Sequence, residues 1–164
     1  MESDIEAVRK ANETFYQAFE KLDIQEMDAL WIKEDYVKCI HPGWEVRSGW
    51  AEVRDSWVLI FNHTYQIKFS VNLIDIVVKS DWAWVVCLEM ISTQDQGRWV
   101  EGRVLSTNLF ERRDGRWLLI HHHGSPLLSL EEEHEEEEGE GEEELPMIDE
   151  ENPARRDPLN RPMA

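Results

Sequence analysis

The stretch from Arg98 to Pro126 constrains this chain more than any other. Two long segments of strand character flank Asp114-Gly115, a dipeptide that accepts the positive backbone angles of a type I′ turn. The stretch therefore reads as a hairpin with a two-residue loop. Pairing Arg113 with Arg116 sets Phe110 opposite Leu119, Asn108 opposite His121 and Ser106 opposite His123. Opposed residues of an antiparallel pair share a face. That register puts Ser106, Asn108, His121 and His123 on one side, with Thr107 and His122 on the other. The first side, with Gly102, leaves more space than Leu105, Leu109, Leu118 and Ile120, so it is expected to be concave and to line a pocket.

The preceding chain supplies what packs on this hairpin. Ser3 or Asp4 caps a first helix whose apolar positions Ile5, Val8, Phe15, Phe19 and Leu22 recur at helical spacing. Asp23 and Glu26 open a short second helix through Trp31. Tyr36 to Ile40 alternates as a strand and stops at His41-Pro42-Gly43. Ser48-Gly49 leads into a third helix carrying Val53, Trp57 and Ile60 or Phe61 inward. Tyr65 to Lys79 and Trp82 to Thr93 are further long strands, turned at Ser80-Asp81. Helices followed by a four-strand meander indicate an α+β fold, with three N-terminal helices packed on one face of a strongly curved antiparallel sheet.

The charge is lopsided. From Ser129 onward 15 acidic residues stand against 3 basic ones, leaving 20 against 14 in residues 1–128. The first 128 residues are expected to form one domain. Residues 129–164, nearly all glutamate between 131 and 144, are expected to be a disordered acidic tail. No basic stripe exists to meet phosphates, so nucleic-acid binding is not expected. No apolar run approaches membrane-spanning length, and MESDIEAVRK lacks a signal core, so no membrane association and a cytoplasmic location are expected. Cys39 and Cys87 lie in apolar runs without metal or redox spacing and read as buried reduced thiols. No nucleotide, nucleophile-elbow or metalloprotease pattern occurs, and neither cofactor nor metal is expected.

A few polar residues interrupt the apolar pattern and become the candidates for chemistry. His121 and His123 are expected to act as acid–base groups, since an imidazole titrates near neutral pH. The alternatives are strand-end hydrogen bonds, or a metal bound together with His41 or Glu89. Glu89 breaks the strand Trp82 to Ile91 on the face of Ala83, Val85 and Cys87. A buried carboxylate there is expected to serve as a general base or a substrate anchor, or else to pair with Arg98 or Arg103. Asn108 is a candidate donor to a ligand oxygen. His41 and Trp44 are placed at a pocket rim, with Tyr16 and Trp57 capping an apolar ligand.

Taken together, the helix with Phe15 and Phe19, Cys39-Ile-His-Pro-Gly43, Gly49 to Trp57, Ala83 to Glu89, Thr107 to Phe110, and Trp117 to Pro126 resemble the SnoaL-like branch of the nuclear-transport-factor-2-like superfamily. The resemblance implies a cone-shaped fold with a pocket between sheet and helices, and a homodimer formed through the sheet. It also implies a range of activities, from polyketide cyclases, ketosteroid isomerases and dehydratases to plain assembly domains. Isomerase chemistry of that kind pairs a carboxylate with a tyrosine or protonated acid. Only Tyr16, Tyr36 and Tyr65 are present, none in the late strands beside the histidines, which tells against a simple isomerase. The expected function is binding of a small apolar or polar–apolar molecule, with cofactor-free isomerase, cyclase or dehydratase chemistry. The alternative is a non-catalytic dimeric association domain whose acidic tail recruits a protein partner.

Overall fold

The computed structural model describes residues 3–128, and the expected acidic tail lies outside the described residues. Helix α1 spans Asp4–Lys21; the Ser3 side chain accepts a hydrogen bond from the Glu6 amide, and the helix closes at Leu22 in the left-handed region. Its buried stripe is Val8, Asn12, Phe15, Tyr16 and Ala18, while Ile5 stays exposed. Helix α2 covers only Ile24–Asp28. Asp23 accepts from the amides of Gln25 and Glu26, but the Glu26 carboxylate turns to Lys21, so half of the capping box forms. Trp31 lies beyond this helix and bridges to Leu119 instead.

Strands β1 (Lys38–Ile40) and β2 (Arg47–Ser48) frame the His41-Pro42-Gly43 turn, and helix α3 follows over Trp50–His63. Four long strands complete the chain: β3 (Ile67–Lys79), β4 (Trp82–Asp95), β5 (Arg98–Arg113) and β6 (Arg116–Pro126). The result is α+β, three helices on a six-stranded sheet of order β2-β1-β6-β5-β4-β3. The sheet is antiparallel except where β1 runs parallel to β6, a pairing that no local pattern announced. No helix among the described residues is long and apolar enough to cross a membrane.

Aromatic side chains join the two layers. Trp57 of α3 sits edge-on to Phe15 and Phe19 of α1, at centroid distances of 5.7 and 4.9 Å. Phe19 meets Phe69 of β3 at 4.7 Å. Each such pair adds roughly 0.5–1.5 kcal/mol beyond the area it removes from water. Trp57 is fully buried in this cluster, as part of the core.

The last hairpin corrects one sequence expectation. Asp114 and Gly115 both have positive φ, 50° and 75°, as a type I′ turn requires, and Arg113 pairs with Arg116 and Phe110 with Leu119 as expected. The register then shifts between Phe110 and Leu109, so that Leu109 faces His121, Asn108 faces His122 and Thr107 faces His123. The neighbours Leu119 and Ile120 are both buried. A regular strand turns successive side chains to opposite faces, so burying two in a row calls for a bulge. One inserted residue flips every histidine after it. Asn108 and Ser106 do face the helices, but they share that side with His122. His121 and His123 lie on the outer face.

Candidate functional site

Four elements bring a chain of polar side chains into the layer between helices and sheet. Asn12 and Tyr16 are one turn apart on the inner stripe of α1, Glu89 is on β4, Asn108 on β5 and His122 on β6. All five are buried. His122 Nδ1 lies 2.6 Å from Asn108 Oδ1. The Asn108 amide donates to Asn12 Oδ1 at 2.8 Å and to the Tyr16 hydroxyl at 3.2 Å. Tyr16 donates to Glu89 Oε1 at 2.5 Å. Because both Asn108 amide hydrogens are engaged, its Oδ1 must accept, and His122 therefore carries its proton on Nδ1. Donors thus point one way, from His122 through Asn108 and Tyr16, and the run ends on a carboxyl group. Aligned hydrogen bonds polarise one another.

Burial sets the protonation of these groups. It raises the Glu89 carboxyl above the ordinary range, against the partial offset of its hydrogen-bonding neighbours. Ser106 is near enough to take part in that offset, yet its Oγ makes no hydrogen bond of good geometry, so Tyr16 is the firm partner. Burial first, then the adjacent Glu89, pushes the Tyr16 phenol far up, so it stays neutral. The Cys87 thiol, 3.2 Å from the Tyr16 oxygen, is pushed up to about 11 by burial, and burial also raises Cys39. Burial and nearby His41 hold His122 well below its usual value, as a neutral imidazole.

A cleft of about 230 Å³ opens beside this chain, between α1 and the edge strand β3. Asn12 and Tyr16 form its buried end, and the exposed Glu13, Gln17 and Glu20 form its rim on the helix. Phe69, Val71 and Leu73 supply an apolar wall. A small molecule in the cleft would meet Tyr16 directly and Glu89 through it.

The SnoaL-like domain family model matches residues 8–129. The chain belongs to the SnoaL-like domain family. This family is part of the NTF2-like superfamily. The domain is 36% identical over 122 residues to the F-box protein SKIP8 of Arabidopsis thaliana, covering 74% of this chain and 50% of that protein. The chain therefore spans about half the length of that curated relative. Among solved structures, a candidate dehydratase of the NTF2-like family from Streptomyces avermitilis is 36% identical with a TM-score of 0.72, over 77% of this chain and 98% of that one. A candidate calcium/calmodulin-dependent protein kinase type II association domain from Thiobacillus denitrificans is 28% identical with a TM-score of 0.67, over 73% and 94% of the two chains.

In this SnoaL-like domain the residues singled out from sequence fall into three groups. Tyr16, Glu89 and Asn108 converge as described, but the Asn108 amide hydrogens are spent within the protein, so it orients Tyr16 and does not face a ligand. The suggested pairing of Glu89 with Arg98 or Arg103 does not form: Arg103 sits beside Met90, whose side of β4 is the outer one. His41 is buried rather than at a rim; it bonds Ser56 Oγ at 2.9 Å and packs edge-on to Trp57 at 4.6 Å. Burial and the Arg47 cation push it down to about 4. Trp44 sits edge-on to His41 at 5.1 Å and under Arg47, away from the cleft lining. Gly124 lets this turn approach β6, since a Cβ there would meet Pro42 and Val104 at 3.0 Å.

His121 and His123 stand on the outer face with their rings 6.3 Å apart. His41 and Glu89 are on the inner side, so neither joins them as a third metal ligand. Sequence reasoning passed over Asn12 and assigned His122 to the wrong face. Asn12 had a usable signal: it is the one amide in the apolar stripe of α1, four residues before Tyr16.

Proposed function

We propose that this SnoaL-like domain binds a small polar–apolar carbonyl compound in the cleft between α1 and β3. There it moves a proton with Glu89 as base and Tyr16 as relay. The observation that carries this reading is the 2.5 Å bond from the Tyr16 hydroxyl to Glu89 at the buried end of the cleft. A base works best when its proton affinity is raised toward the operating pH, and burial acts on Glu89 in that direction. The phenol resists ionisation, so it passes a proton without becoming a stable phenolate. As substrate gives a proton to the Tyr16 oxygen, the phenol proton passes to Glu89. In a β-hydroxy carbonyl compound the same proton returns to the departing hydroxyl, and the products are water and a carbon–carbon double bond. Asn12, whose carbonyl already accepts from Asn108, keeps amide hydrogen for the substrate's carbonyl oxygen.

Likeness to the candidate Streptomyces dehydratase supports this chemistry, and the volume of the cleft favours small substrates. The test is incubation in D2O with a panel of small β-hydroxy ketones and enones, followed by proton NMR. Deuterium should enter α to the carbonyl, and Glu89→Gln and Tyr16→Phe should each abolish the exchange. Exchange no faster than in buffer across the panel would count against catalysis.

A second reading, self-association, has its own support. The outer sheet face exposes Trp82, Trp84, Met90 and Leu105, an apolar surface of the kind that marks protein contacts. We infer a homodimer through this face, compatible with a ligand site on the other side of the sheet. Sedimentation at micromolar concentration tests it.

A further inference from the structure

The charge around the cleft sets which small molecules it admits. Glu13 and Glu20 stand on its rim, and no lysine or arginine lines it. Neither carboxylate has an ion-pair partner among the described residues. Glu20 is nonetheless held in place, because its Oε1 accepts the Phe69 backbone amide at 2.6 Å across the cleft. That amide belongs to the edge strand of the sheet, where it has no neighbouring strand on that side. The bond fixes one carboxylate over the mouth. Opposite the rim, half-buried Phe69 offers an apolar surface.

Resting on the reading of the cleft as the ligand site, we propose that it selects small amphipathic cations. Substrates would then be amino carbonyl compounds, with the ammonium group between Glu13 and Glu20 and the apolar body along Phe69, Val71 and Leu73. Anionic acids are disfavoured by the same carboxylates through like-charge repulsion, which salt screens at these exposed positions. The selection is a difference between ligands of equal shape, so it is measured as one.

Three probes of similar size separate the possibilities: phenethylamine, 2-phenylethanol and phenylacetate. Binding to the full chain is followed by chemical shifts of residues lining the cleft. The amine should bind at least tenfold more tightly than the alcohol, and phenylacetate should bind most weakly. Raising the salt concentration should narrow the amine's advantage in the unmodified protein. The double variant Glu13→Gln, Glu20→Gln should reduce it to threefold or less, the glutamine at 20 still accepting from the Phe69 amide. If the alcohol or phenylacetate binds as well as the amine, the charge selection is wrong while the cleft remains a ligand site. If none of the three perturbs the cleft, the ligand-site reading fails and this inference with it.

Discussion

Tyr16 and Glu89, 73 residues apart in sequence, share a 2.5 Å hydrogen bond in the interior. One comes from the first helix and the other from the second of the long strands, so the bond exists only once helix and sheet have docked. It joins a phenol that burial holds protonated to a carboxyl that burial makes reluctant to ionise.

The first prediction concerns the cost of keeping that carboxyl. Glu89 has a raised pKa in the folded state, so the folded protein holds its proton more tightly than the unfolded chain does. The group costs nothing below the unfolded value and increasingly more as pH rises through the folded one. Glu89→Gln should therefore melt at a temperature near that of the unmodified protein at pH 4 and several degrees higher at pH 8. A difference that does not change with pH would show that Glu89 is solvated in the native state.

His41 carries the opposite dependence. Its folded pKa of about 4 lies below the usual 6.5, so its stabilising neutral form is intact above 6.5. Stability is lost progressively as pH falls through about 4. Integrated over that window, the loss is on the order of 3 kcal/mol. His41→Gln keeps a donor for Ser56 without titrating, and urea unfolding at pH 7 and pH 4 should show a smaller acid penalty in the variant. An equal penalty in both proteins would mean that other groups govern the acid limb.

The bulge at Ile120 separates adjacent histidines by their energetic weight. His122→Ala opens a cavity and strips Asn108 of its donor, each worth roughly 1–3 kcal/mol. His121→Ala removes a half-buried ring from the outer face and should cost about 0.5 kcal/mol in the monomer. Urea midpoints decide between them. The reverse ranking would restore the unbulged register, with His121 inside.

A test of association uses the outer face. Trp84 lies on β4 across from Leu109 and remains 37% exposed. Trp84→Glu places a charge in the middle of the proposed contact and should leave a monomer by sedimentation, with its helix content unchanged. If the unmodified protein is already a monomer at tens of micromolar, the homodimer is excluded.

The sequence by itself determined the element types, because their signals are local. Helical spacing in α1 and α3, alternation in β3 to β6 and the paired positive-φ turn at Asp114-Gly115 need no distant partner to be read. It also picked Glu89 as inward-facing, since a polar residue on an apolar face of a strand is visible from its neighbours alone, and Asn108 because its face carries the smaller side chains. What only the tertiary structure decided was which of these side chains meet. Tyr16 looked irrelevant to the late strands because its helix is far from them in the chain, yet docking brings its hydroxyl to both Glu89 and Asn108. The histidines turned on a single bulge. Regular alternation would have left Ile120 in the outer face, and burying it together with Leu119 displaced the register by one residue. That choice depends on the space offered by the helices above and by β1 alongside, which strand periodicity does not encode.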